Sequence, residues 1–187
     1  MTAIQVIKLG GSLTYSTLLT DWLERLDQDY QDTDVVVVPG GGAFADQVRL
    51  AQQHWGFDDR TAHCMALLAM QQMALLITGL KPAWHSAGSV AAIKAALGQG
   101  QPVVWSPDVR ELDRAGIAAT WDITSDSLAA WLAGELAAQE LLLIKAAKLT
   151  PYLTLSELAE QGVLDNAFCG FIGQAHYRVR VVSGCDG

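Results

Sequence analysis

Two short apolar runs, each ending in glycines, constrain the fold of this 187-residue chain more than anything else in it. Ile4-Gln5-Val6-Ile7-Lys8-Leu9 runs into Gly10-Gly11-Ser12. Asp34-Val35-Val36-Val37-Val38 runs into Pro39-Gly40-Gly41-Gly42, ahead of a helical pattern from Ala43 to Gln53. Runs this apolar read as strands buried on both faces, the habit of parallel sheets covered by helices. Glycines at a strand's end let backbone N–H groups face a ligand, and open α/β sheets bind ligands at the carboxyl ends of their strands. Two such turns therefore face one crevice.

The same alternation continues along the chain. Strands are expected near 3–9, 34–38, 83–85, 102–105, 140–145 and 177–183, and helices near 16–30, 43–54, 59–78, 87–98, 125–138, 154–161 and 165–173. Spacing at Leu19, Trp22, Leu23 and Leu26 gives the first helix an apolar face, and Trp22 and Trp131 read as core. The fold class that follows is α/β, a three-layer sandwich with a mostly parallel sheet between helix layers. No linker interrupts it, and 51% hydrophobic residues suffice for the core of one domain spanning 1–187.

A third segment carries chemistry. From Trp121 to Ala133, hydroxyls and two carboxylates directly precede an apolar helical run. Thr124, Ser125 or Asp126 can cap that helix, whose N-terminus would welcome an anion. Asp126 repels an anion but can orient lysines around one, or help bind Mg²⁺. The same residues also describe a plain capped helix with Leu128, Ala129, Leu132 and Leu136 in the core. Lys8 ends its strand where it can neutralise phosphate, and Gly10, Gly11 and Ser12 can bond phosphate oxygens. Trp121 can line a pocket for a flat heteroaromatic ring or lie in the core. Neither GxxxxGK[ST] nor GxGxxG is present, which excludes a P-loop and weakens a dinucleotide reading.

Charge narrows the partners. A net charge of −8 argues against nucleic acid or an anionic membrane, yet Lys8, Arg49, Lys145 and Lys148 can make a positive pocket locally. The N-terminus lacks the pattern of a signal peptide, and the apolar window 64–80, broken by Gln71 and Gln72, reads as a buried helix. A cytoplasmic location is expected. Cys64, Cys169 and Cys185 form no CxxC pair, and His54, His63, His85 and His176 lack ligand spacing, so no disulfide framework or protein metal site is expected.

Ile-Lys-Leu-Gly-Gly-Ser at 7–12, Pro-Gly-Gly-Gly at 39–42, Thr-Ser-Asp-Ser at 124–127 and Leu-Leu-Leu-Ile-Lys at 141–145 occur in an order that resembles the amino acid kinase superfamily. That superfamily includes carboxylate kinases for glutamate and aspartate, uridylate kinase and isopentenyl phosphate kinase. More narrowly, Asp59 to Met73, with its His63, and Trp121 to Ala133 resemble the branch containing the archaeal kinase of (5-aminomethylfuran-3-yl)methyl phosphate. The resemblance implies ATP and Mg²⁺ as cofactors, a small-molecule acceptor and a homo-oligomer. It implies an acceptor-binding part to about residue 135 and a short nucleotide-binding part after it. Lys8 would stabilise the transferring phosphoryl, Asp126 would orient lysines, and Lys145 or Lys148 would meet ATP. Gly41 and Gly42, with Trp121, Thr124 and Ser125, would face the acceptor. Two departures stand out: Leu149-Thr150-Pro151 replaces the Val-Asp-Gly turn of many relatives, and Leu164 to Gly173 contains no lysine. A carboxylate kinase and a non-catalytic nucleotide- or anion-binding protein are the alternatives.

Overall fold

The computed structural model describes residues 3–30 and 33–184; Cys185 lies outside them. Six strands form one sheet: β1 (Ile4–Leu9), β2 (Asp34–Pro39), β3 (His85–Ala87), β4 (Val103–Trp105), β5 (Glu140–Lys145) and β6 (Arg178–Ser183). Every pairing is parallel, in the order β3-β4-β2-β1-β5-β6. The helices are α1 (Leu18–Asp29), α2 (Gly42–Trp55), α3 (Asp59–Leu80), α4 (Val90–Leu97), α5 (Val109–Arg114), α6 (Ser125–Glu135), α7 (Leu155–Glu160) and α8 (Phe168–Ile172).

Alternation along the strands sorts the core into two layers. Val6, Val36, Val38, Leu141 and Leu143 meet α4 to α8 and the first half of α3 on one face. Ile7, Val35, Val37, Leu142 and Ile144 meet α1, with Ala74 and Ile77 of α3, on the other. The result is the three-layer sandwich that the apolar strands imply.

The differences from expectation are local. β3 begins two residues late because Trp84 N–H closes a turn on the Lys81 carbonyl at 2.9 Å. α4 begins at Val90, where the Ser89 side chain caps it. α5, six residues capped by Asp108, and a 3₁₀ turn at Gly11–Tyr15 are too short to show a period. By length and composition α3 could cross a membrane, but one face of it packs on the sheet.

The register fixes the site's scaffold. β1 ends with Leu9 opposite Pro39 of β2 and Ile144 of β5. The glycine turns after β1 and β2 therefore leave the sheet side by side, next to the end of β5.

Candidate active site

The two-residue period of a strand puts Lys8 on the face of Val6, and Lys145 on the face of Leu141 and Leu143. That is the face covered by α6. Lys8 pairs in register with Leu143, so Lys145 lies one alternation farther along the neighbouring strand. Asp126, in the first turn of α6, reaches between them. Its Oδ1 lies 2.8 Å from the Lys8 ammonium and its Oδ2 accepts a hydrogen bond from Lys145 at 2.5 Å.

These charges are out of water: the side chains of Lys8 and Asp126 are each 5% exposed, and that of Lys145 is 13% exposed. Burial alone would raise the Asp126 carboxyl, but Lys8 and Lys145 overcome it and hold the group below the usual carboxylate range. Lys145 is pushed down to about 8 by burial and then by repulsion from Lys8, against the pull of Asp126 and Asp165. Two cations thus share one carboxylate, leaving an excess positive charge at the carboxyl ends of β1 and β5. Such a centre can receive a polyanion.

Beside it lie the two turns. A Cβ on Gly11 would sit 2.6 Å from the Gly42 nitrogen, and one on Gly40 would sit 2.6 Å from the Gly11 nitrogen. The turns touch main chain to main chain, and Gly42 also needs a positive φ of 54°. The Gly10 N–H donates to the Ile144 carbonyl at 2.8 Å, which corrects the expectation that all three turn amides face phosphate. Gly11 and Ser12 open the 3₁₀ turn, whose first N–H groups point away from its own carbonyls. α2 starts after Gly41 with no side-chain cap, so its N-terminus adds further polarity to the same place.

A cleft of about 280 Å³ opens over these turns. Its walls include Gly11, Ser12, Gly41 and Gly42, Arg49 from α2, His63 and Met70 from α3, and Trp121, Thr124 and Ser125 ahead of and within α6. The Trp121 indole donates to Gln52 Oε1 at 2.6 Å, and the Arg49 guanidinium carbon lies 3.8 Å from the centre of its ring. One face of Trp121 is therefore already covered by a cation. His63 is buried with no hydrogen-bond partner for Nε2, and burial followed by the Arg60 charge lowers its basicity.

The profile of the amino acid kinase family matches residues 3–148, which includes both glycine turns, Asp126 and both candidate lysines. The chain belongs to the amino acid kinase family. A curated relative, the [5-(aminomethyl)furan-3-yl]methyl phosphate kinase of Methanocaldococcus jannaschii, is 24% identical over 147 residues, 75% of this chain. The match spans 64% of that relative's length. Among solved structures, UMP kinase from Ureaplasma parvum superposes with a TM-score of 0.72 at 16% identity, over 98% of this chain and 90% of that one. Uridylate kinase from Archaeoglobus fulgidus gives 0.71 at 16%, over 97% and 90%. Aspartate kinase from Synechocystis gives 0.70 at 18%, over 98% and 39%. These likenesses establish the amino acid kinase fold.

Within this family member, the structure separates the two lysines that the sequence left open. Lys145 meets Asp126, whereas Lys148 is exposed in the irregular segment beyond β5. Leu149, Thr150 and Pro151 line a separate open cleft of about 490 Å³ beside the end of β6 and Arg25.

The start of α6 also differs from expectation. Thr124 occupies the capping position, but its side chain makes no cap bond. Asp165, from the loop between α7 and α8, does the capping instead. Its Oδ2 accepts from Thr124 N–H at 2.8 Å, Thr124 Oγ1 at 2.8 Å and Ser127 N–H at 3.0 Å, and its Oδ1 accepts from Ser127 Oγ. The anion expected at this helix terminus is the chain's own carboxylate, and the Thr124 hydroxyl proton is committed to it. Nothing in the local sequence of Asp165 marks that role.

Proposed function

We propose that this chain is an ATP- and Mg²⁺-dependent phosphotransferase that moves the γ-phosphoryl group onto a small phosphomonoester, an aminomethylfuran methyl phosphate, giving a diphosphate. The observation that carries the reading is the buried Lys8–Asp126–Lys145 group beside a glycine-floored cleft. Its donors suit a polyphosphate, since two ammonium groups share one carboxylate and the amides of Gly11 and Ser12 follow Lys8 by three and four residues at the end of β1. Among the described residues no three histidines, cysteines or carboxylates converge, so Mg²⁺ would be held mainly by phosphate oxygens and water.

Bound Mg-ATP would supply the transferable phosphoryl group. Lys8 and Lys145 would balance the charge that spreads over its oxygens, and Asp126 would keep both ammonium groups aimed. An acceptor phosphate is already an anionic nucleophile, so no general base is required. That suits a cleft whose histidine, His63, is made a weaker base by burial. Arg49, Trp121 and Ser125 would bind the acceptor. In this reading residues to about 135 form an acceptor part and the remainder a short nucleotide part of one cytoplasmic domain. Exposed Leu68, Leu75, Leu76 and Leu80 on α3 favour self-association, which a hydrodynamic mass would test.

Phosphorus NMR with Mg-ATP and a panel of aminomethylfuran methyl phosphate, isopentenyl phosphate, UMP, glutamate and aspartate tests the proposal. The expected result is a new diphosphate signal with one phosphomonoester, abolished in Lys8→Ala and in Asp126→Asn. Transfer that survives either substitution sinks it, and hydroxamate formation from an amino acid when hydroxylamine is added would indicate a carboxylate kinase instead. The altered Leu149-Thr150-Pro151 turn and the lysine-free 164–173 segment favour a second reading, a nucleotide-binding protein without turnover. ATP that binds and stays intact with every acceptor would support that one.

A further inference from the structure

Four other helices of this chain are capped by a neighbour in sequence: α3 by Asp58, α4 by Ser89, α5 by Asp108 and α7 by Thr154. α6 carries Thr124 in the capping position, a residue able to do the same. Instead its first turn is held by a carboxylate 41 residues away. A cap needs one acceptor for one or two N–H groups. Asp165 accepts from two backbone amides and two hydroxyls, on Thr124 and Ser127. Those residues flank the segment that carries Asp126. The loop is fastened a second time, by Asn166 Nδ2 to Asp122 Oδ1 at 2.9 Å and by Ala167 N–H to the Asp122 carbonyl at 3.1 Å.

We propose that Asp165 is a positioning residue for phosphoryl transfer, clamping the first turn of α6 so that the Asp126 carboxylate stays between Lys8 and Lys145. The inference rests on the kinase reading above and adds a residue beyond the stretch that the family profile matches. A carboxylate that must hold two lysines at once is sensitive to small rotations of its helix turn, because moving toward one ammonium lengthens the contact to the other. Residues on both sides of Asp126 are pinned, so that rotation is blocked. The charge of Asp165 acts as well. The ionisable groups around Lys145 are Lys8 on β1, Asp126 on α6 and Asp165 from the α7–α8 loop, and the last favours the protonated amine.

Asp165→Asn removes the charge and nearly preserves the shape. Protein labelled with ¹³C at lysine Cε, with the Lys145 signal assigned through Lys145→Met, is titrated while kcat and acceptor KM are followed against pH. The Lys145 midpoint is expected to fall by roughly half a pH unit, with the alkaline limb of kcat moving with it. At neutral pH kcat falls roughly tenfold and acceptor KM changes little, the mark of lost alignment rather than lost binding. A lowered Tm with an unmoved midpoint and an unmoved pH profile would reduce Asp165 to an ordinary cap. Ser127→Ala, which cuts one arm of the clamp and keeps the charge, covers the case in which Asp165→Asn does not fold. It should lower kcat with the Lys145 midpoint unchanged, and a wild-type kcat there refutes the proposal. If the wild-type protein transfers phosphate to no acceptor, the kinase reading fails, while the Lys145 midpoint still decides whether Asp165 acts on the triad.

Discussion

Replacing Lys145 by methionine should abolish the proposed phosphoryl transfer and remove a rise of stability with pH that the wild-type protein shows above about pH 8. The buried amine is pushed down to about 8 from an ordinary 10.5. Each unit of displacement corresponds to about 1.4 kcal/mol, so holding Lys145 charged in the folded state costs about 3 kcal/mol. The sign follows from which state binds the proton. Below about pH 8 the amine is charged whether the chain is folded or not, and the full penalty applies. Between there and its unfolded value the folded chain has released the proton and the unfolded chain retains it, so stability rises with pH. Above the unfolded value both forms are neutral and the penalty is gone. Methionine has a similar length and does not titrate, so the stability of Lys145→Met relative to wild type should fall by about 3 kcal/mol between pH 7 and about pH 11, or about 6–12 °C in Tm for a chain of this size, on top of a constant offset from leaving Asp126 with Lys8 alone. Urea unfolding followed by tryptophan fluorescence at a series of pH values measures it. A difference between the two proteins that stays constant from pH 7 to 11 would show that Lys145 titrates normally, and the electrostatic account of the triad would fall.

Gly11→Ala should destabilise by about 2 kcal/mol or more, because its Cβ would sit 2.6 Å from the Gly42 nitrogen, whereas Gly79→Ala, exposed on α3 with open space around it, should stabilise by about 0.5–1 kcal/mol; thermal unfolding of both variants, with equal effects, would contradict the packing of the two turns. His63→Leu removes a buried imidazole whose Nε2 has no partner and should raise Tm by a few degrees, about 1 kcal/mol of recovered desolvation; a fall would mean that Nε2 does have a partner, such as a bound water.

Strands were readable from the sequence wherever a β-branched or leucine-rich run was buried on both faces, as in β1, β2 and β5, because there the residues themselves demand coverage. β3 slipped because a turn at Lys81–Trp84, not strand preference, decides where it starts. α5 and the 3₁₀ turn went unread because six or fewer residues show no period. Within the site, Lys8 can be placed at a strand end from its own neighbours and Asp126 at a helix start where it can orient lysines, but which lysines it meets depends on the fold that brings Lys8 and Lys145 to it. That Lys145 and not Lys148 meets Asp126 follows from strand alternation once β5 is known to end at Lys145, a boundary that sequence alone fixes only loosely. Asp165 was illegible because its meaning lies in a contact 41 residues away, and a single aspartate in a loop has no local signature.

The family profile stops at residue 148, but the covalent unit needed for the site does not. Phe168 and Leu158 belong to the same core cluster as α6, β6 covers the flank of β5, and Asp165 sits at the start of the helix that carries Asp126. Expression of residues 1–148 would keep every residue that the resemblance assigns to catalysis and still expose one side of β5, open a void beside α6 and leave that helix without its cap. The last 39 residues therefore set the smallest fragment worth testing for activity, although the family profile does not cover them.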